Sequence, residues 1–111
     1  MPIEQRQSDS TSAVIAISGR LVYGRDTTAL ETMVKDLSKE AGRKVVFDLS
    51  TLDYTDSSGI GAIVACLTLI KKAGGDLRLA GASPRIQRIL SMTGVDRMMP
   101  QYPTVAAAVA D

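Results

Sequence analysis

Residues 60–70 (IGAIVACLTLI) hold one hydroxyl, one thiol and otherwise only apolar side chains and glycine. The run is longer than a typical strand and is stopped by Gly74 and Gly75, so it reads as a helix. A helix that is apolar on most of its surface has to be buried. Residues 60–70 are far too few to span a bilayer, so the helix must lie inside a folded domain, against a sheet.

Strands to build that sheet flank the run. Residues 44–49 (KVVFDL) are short, β-branched and bounded by charge, which reads as a buried strand. A second strand is expected at 13–17, ending at Gly19, and a weakly alternating edge strand at 3–7. These two form an antiparallel hairpin around a polar turn at 8–12. From Asp26 the period changes, with Leu30, Met33, Val34, Leu37 and Ala41 on one helical face and Gly42 as its stop. Residues 76–80 form a further strand, left through Gly81. Ser83 as N-cap and Pro84 at the first helical position open a helix with Ile86, Ile89 and Leu90 inward, ended by Gly94. A short strand within 95–99 and a final helix over 103–110, with Val105 and Val109 facing inward, complete the chain. This order gives an α/β fold in one domain, 1–111: a single-layer mixed β-sheet, N-terminal antiparallel hairpin then parallel strands, packed against helices.

Charge narrows the function. Thirteen basic and 12 acidic residues, well mixed, leave a net charge of +1. That balance offers no footprint for nucleic acid and no polybasic patch for a membrane surface. Residues 1–12 are polar and carry no secretory signal, so a cytoplasmic location without membrane insertion is expected. Cys66 is the sole cysteine and there is no histidine, so a packed helix residue is expected rather than an activated thiol.

The chemistry concentrates at Asp56-Ser57-Ser58-Gly59, between the strand and the buried helix. Hydroxyls there lie beside the positive end of a helix dipole, a setting suited to a phosphate group. Gly59 and Gly61 keep the turn bare, either for close approach of a partner or for tight packing of the helix start.

Enzymatic readings fail on specifics. Gly59-Ile60-Gly61 opens like a dinucleotide fingerprint, but Val64 stands where its third glycine belongs, and Asp76 begins rather than ends the next strand. No Walker loop exists. Asp48, Asp53 and Asp56 form an acidic cluster that suggests magnesium or phosphoryl acceptance, yet the companion carboxylates and lysine of such sites are missing. Asp48 and Asp53 are therefore expected as solvated loop acids. Ser57 is no hydrolase nucleophile, since it has neither a histidine nor a G-x-S-x-G elbow. No cofactor or metal is implied. Arg85 and Arg88 read as solvated. A helix N-cap, a nucleotide or phosphate-ligand site at 57–61, and a serine open to modification all remain.

The stretch 48–61 (DLSTLDYTDSSGIG) resembles the signature of STAS domains, specifically bacterial anti-sigma-factor antagonists. Further matches are KKAGGDL at 71–77, SPRIQRIL at 83–90 and TGV at 93–95, so the likeness runs from about 14 to 109. The resemblance implies that the first serine after the aspartate, Ser57, is phosphorylated by a partner that is both serine kinase and anti-sigma factor. It implies that a serine phosphatase reverses this, and that the unmodified form binds the kinase and releases the sigma factor. Asp56, Ser57, Ser58, Gly59 and Gly61 would form the binding turn, with Ser58 the secondary acceptor. The chain departs from the family pattern at Arg20 and Val22, where acidic residues are usual. That departure points to an alternative: a STAS-like regulatory subunit of a transport ATPase or signalling assembly, not phosphorylated.

Overall fold

Alternation along the second strand sets the two faces of the sheet. In the computed structural model, which describes residues 3–8 and 11–111, strand β2 (Ser12–Ile17) sends Ala13, Ile15 and Ile17 into the main core and Val14 to the opposite face. Strand β1 (Ile3–Ser8) pairs antiparallel to β2, with a bulge between Gln5 and Gln7. Ser8 and Ser12 thus belong to the strands and not to the expected turn, whose Asp9 and Ser10 lie outside the described residues. Strands β4 (Lys44–Asp48), β6 (Asp76–Ala80) and β7 (Gln101–Tyr102) then add in parallel, giving the order β1-β2-β4-β6-β7.

The central strand β4 carries the chain's one phenylalanine, Phe47, fully buried between Ile15 and Leu79 in register. Burying such a side chain stabilises the fold by about 1.5–3 kcal/mol. Three helices cover this face: α1 (Arg25–Leu37), α2 (Ser57–Lys72) and α3 (Pro84–Met92). Helix α2 buries Ile60, Ala62, Ile63, Cys66, Leu67 and Ile70, as its apolar surface demands. A short helix, α4 (Val105–Ala110), lies on the other face, with Ala108 packed on Val14, Val46 and Ala80. Val105 and Val109 face inward as expected. Lys44 Nζ and Arg78 Nη1 donate to the carbonyls of Val109 and Ala108 at 2.6 and 2.7 Å, placing cations at the negative end of α4.

Three local expectations are corrected. Helix α1 stops at Leu37, because the next N–H groups, Lys39 and Glu40, bond back three residues to the Asp36 and Leu37 carbonyls and tighten the chain into turns, while the Ser38 hydroxyl caps the Val34 carbonyl at 2.8 Å; Ala41 lies beyond it, exposed. Residues 95–99 do not form a strand: Gly94 adopts φ +82°, and Val95–Arg97 winds into a 3₁₀ turn. The last strand instead follows Pro100, whose carbonyl accepts from the Leu79 N–H at 3.0 Å. Finally, β4 does not lead straight into α2. The chain first forms β5 (Leu52–Thr55), which pairs in parallel with β3 (Gly19–Leu21) as a separate two-stranded ribbon.

Candidate functional site

The β3–β5 ribbon aims the start of α2. Leu52 and Thr55 point inward while Asp53 and Tyr54 are exposed. The Gly19 N–H donates to the Thr51 carbonyl at 2.9 Å, and the Ser18 and Thr51 hydroxyls share a bond at 2.7 Å. Buried Thr55 donates its hydroxyl to the Leu21 carbonyl at 2.8 Å. The ribbon is thereby tied together one residue before the turn that carries Asp56.

Asp56 is the N-cap of α2, in extended backbone, and its Oδ1 accepts the Gly59 N–H at 2.9 Å. The N–H groups of Ser57 and Ser58 have no hydrogen bond among the described residues. Both serines are exposed, and neither hydroxyl is engaged elsewhere among those residues. The two alcohols therefore stand in water at a helix N-terminus whose nearest carboxylate is already occupied.

The two glycines part company. Gly59 is buried, and a Cβ there would lie 2.1 Å from Thr55 Oγ1 and 2.2 Å from the Leu21 carbonyl oxygen. Its hydrogen side chain is demanded by packing between the ribbon and the helix. Gly61 is exposed, and a Cβ there would meet nothing within 4 Å. Only Gly61 leaves the outer surface of the turn bare.

Arg20 on β3 lies opposite Tyr54 on β5, its guanidinium carbon 4.8 Å from the ring centroid. Sequence patterning reveals neither the ribbon nor this pair. The one signal it carries is the spacing of Leu52 and Thr55, two inward residues, too few to establish a period. Arg85 and Arg88 are exposed, as expected.

Asp48 is not a solvated loop acid. It ends β4 with 9% exposure, and one oxygen accepts the Ser50 N–H at 3.0 Å while the other sits 3.7 Å from Arg6. The reason is the pairing of β4 at the middle of the sheet, which draws the carboxylate in. Asp53 is exposed, on the strand β5. Among the described residues, Asp48, Asp53 and Asp56 do not form a group placed to hold a metal ion. Cys66 is fully buried in α2, and burial first, then the Glu31 charge, pushes its thiol up to about 12. No helix among the described residues is long and apolar enough to cross a membrane.

The same frame occurs in known proteins. The STAS domain family matches residues 2–108. An anti-sigma F factor antagonist of Paenibacillus polymyxa is 26% identical over 98 residues, 88% of this chain and 84% of that protein. An anti-sigma-factor antagonist (STAS) domain protein of Planctomyces limnophilus superposes with a TM-score of 0.81 at 25% identity, covering 97% of this chain and 96% of that one. The Bacillus cell fate determinant SpoIIAA in its phosphorylated form gives a TM-score of 0.75 at 16% identity over 97% and 96% of the two chains, a likeness of fold. With a mixed sheet and four helices among the described residues, and a matched span of 2–108, this chain belongs to the STAS domain family.

Proposed function

We propose that this protein is a phosphorylation-switched binding module, an anti-sigma-factor antagonist with Ser57 as acceptor and Ser58 as the secondary one. Unmodified, it binds a serine kinase/anti-sigma factor and releases the sigma factor; a serine phosphatase restores it. The role is binding rather than catalysis, and the setting is the cytoplasm. The observation that carries this reading is the exposure of Ser57 and Ser58 at the first turn of α2, with their hydroxyls unengaged among the described residues. The anti-sigma F factor antagonist name of the Paenibacillus relative and the phosphorylated form of the Bacillus neighbour support it.

Magnitudes favour a switch of binding over a switch of fold. A phosphoserine adds about −1.5 to −2 charges. The helix N-terminus favours that charge by about 0.3–1 kcal/mol. Asp56 opposes it by a comparable amount, since unit charges ~4 Å apart in water interact by about 1 kcal/mol. Inside the domain these nearly cancel. Buried unpaired at an interface, the same charge costs about 3–5 kcal/mol, a loss of affinity of several-hundred-fold or more.

Incubation with an ATPase-type serine kinase/anti-sigma factor and ATP, followed by mass mapping, tests the acceptor. Label on the peptide carrying Ser57 and Ser58, lost in Ser57→Ala, is the expected result. Absence of label on either serine overturns it. A second reading, an unphosphorylated STAS-like regulatory subunit of a transport ATPase or signalling assembly, is favoured by Arg20 and Val22, which stand where the family pattern has acids. Stable binding to such an assembly without any label would select it.

A further inference from the structure

We propose that Arg20 and Tyr54 form a carboxylate-reading platform beside the switch turn, receiving an aspartate or glutamate of the partner protein. The proposal deepens the function given above and rests on its reading that this face meets a protein partner. Arg20 is exposed, and its guanidinium carbon sits 4.8 Å from the centroid of the Tyr54 ring. Among the described residues its side chain makes no ion pair and no hydrogen bond. Asp56, the acid nearest the switch, is committed to the Gly59 N–H. The planar fork of Arg20 therefore keeps its donors free, while the ring limits its motion. A stacked guanidinium matches a carboxylate through two parallel N–H···O bonds, which an ammonium does not reproduce.

Position strengthens the inference. Arg20 and Tyr54 are register partners on the ribbon, and Leu21 and Thr55 beside them are joined by the buried 2.8 Å hydrogen bond. The platform is thus rigidly fixed to the turn. Tyr54 lies three positions before Ser57, within about 10 Å at the rise of an extended chain. Tyr23, two residues past the end of β3, is 84% exposed. Arginine and tyrosine, with tryptophan, are enriched among the residues that anchor interfaces. A phosphoryl group on Ser57 would add negative charge where the platform draws in a partner's carboxylate, which couples recognition to the switch.

The test is an NMR titration of the ¹⁵N-labelled chain with a short peptide bearing two central glutamates and with its glutamine twin. The glutamate peptide is expected to shift the Arg20 Nε–H and the amides of Tyr54 and Ser57, and the twin to bind about fivefold more weakly. Arg20→Lys should weaken the glutamate peptide and Arg20→Glu abolish its local shifts; retained dispersion of the remaining amides checks that each variant is folded. Equal shifts from both peptides, or shifts centred on Arg85 and Arg88, overturn the platform. Repeating the titration with Ser57-phosphorylated chain separates the two proposals. Shifts unchanged by the phosphate keep the platform and remove its coupling to the switch; kinase labelling of Ser57 without peptide shifts at Arg20 keeps the switch and removes the platform.

Discussion

The Thr55 hydroxyl donates to the Leu21 carbonyl at 2.8 Å, a buried bond that fastens β5 to β3 immediately before the first turn of α2. The missing side chain of Gly59 is what lets that bond and the helix start occupy the same space. Positioning of the serines depends on this joint, not on the main sheet alone.

Gly59→Ala should therefore be costly. Its methyl would meet Thr55 Oγ1 at 2.1 Å and backbone oxygen at 2.2 Å, so a loss of about 3 kcal/mol is expected in urea unfolding. Gly61→Ala should behave oppositely, gaining about 0.5–1 kcal/mol because the site is open and helical. If the partner approaches the turn closely, that same methyl weakens binding while raising stability.

Asp56→Ala removes the N-cap acceptor of α2. A loss of about 0.5–2 kcal/mol is expected, with Asp56→Asn retaining most of the stability because its side-chain oxygen still accepts. Chemical denaturation of the three proteins side by side checks this. A flat result would mean the cap carries no weight.

The buried helix, the central strands and the exposed turn are legible in the sequence because each is carried by a long or strongly punctuated segment. The run 60–70 and the pair Ser83-Pro84 are of this kind. Strands β3 and β5 are not legible, since three and four residues offer no usable period and their pairing is non-local. The two residues of β7 escape for the same reason, and 95–99 reads as a strand because Val95 and Met99 are apolar in any backbone. Asp48 looks solvated in sequence because its burial comes from strand order, which no local window contains. The two roles of Gly59 and Gly61 are likewise inseparable until the fold brings Leu21 beside one of them.

Cys66 should resist thiol reagents in the folded protein. Its thiol is fully buried and pushed up to about 12, so almost no thiolate exists at pH 8. Labelling by a disulfide reagent is expected to track unfolding by denaturant, giving one probe of global opening. Rapid labelling under native conditions would contradict the packing described for α2.

Asp76 gives a pH signature. Burial pushes its carboxyl up, but hydrogen bonds from Arg78 Nε at 3.0 Å and Lys71 Nζ at 3.2 Å, with their charges, outweigh this and hold it below its ordinary value. A depressed carboxyl stabilises the fold above its unfolded pKa of about 3.9, and that contribution disappears as pH falls through the lower folded value. The Asp76 side chain is part-buried and still reached by solvent, whose screening keeps the effect small. Asp76→Asn should show a shallower loss of stability from about pH 5 to 2 than the parent, measured by urea midpoints.

The central measurement is calorimetric titration of a serine kinase/anti-sigma factor with this protein, unmodified and stoichiometrically phosphorylated on Ser57. The account predicts a drop in affinity of roughly several-hundred-fold on phosphorylation, with the thermal unfolding midpoint of the free domain nearly unchanged. Equal affinity for the two forms, or a phosphorylated domain that no longer folds, would contradict it.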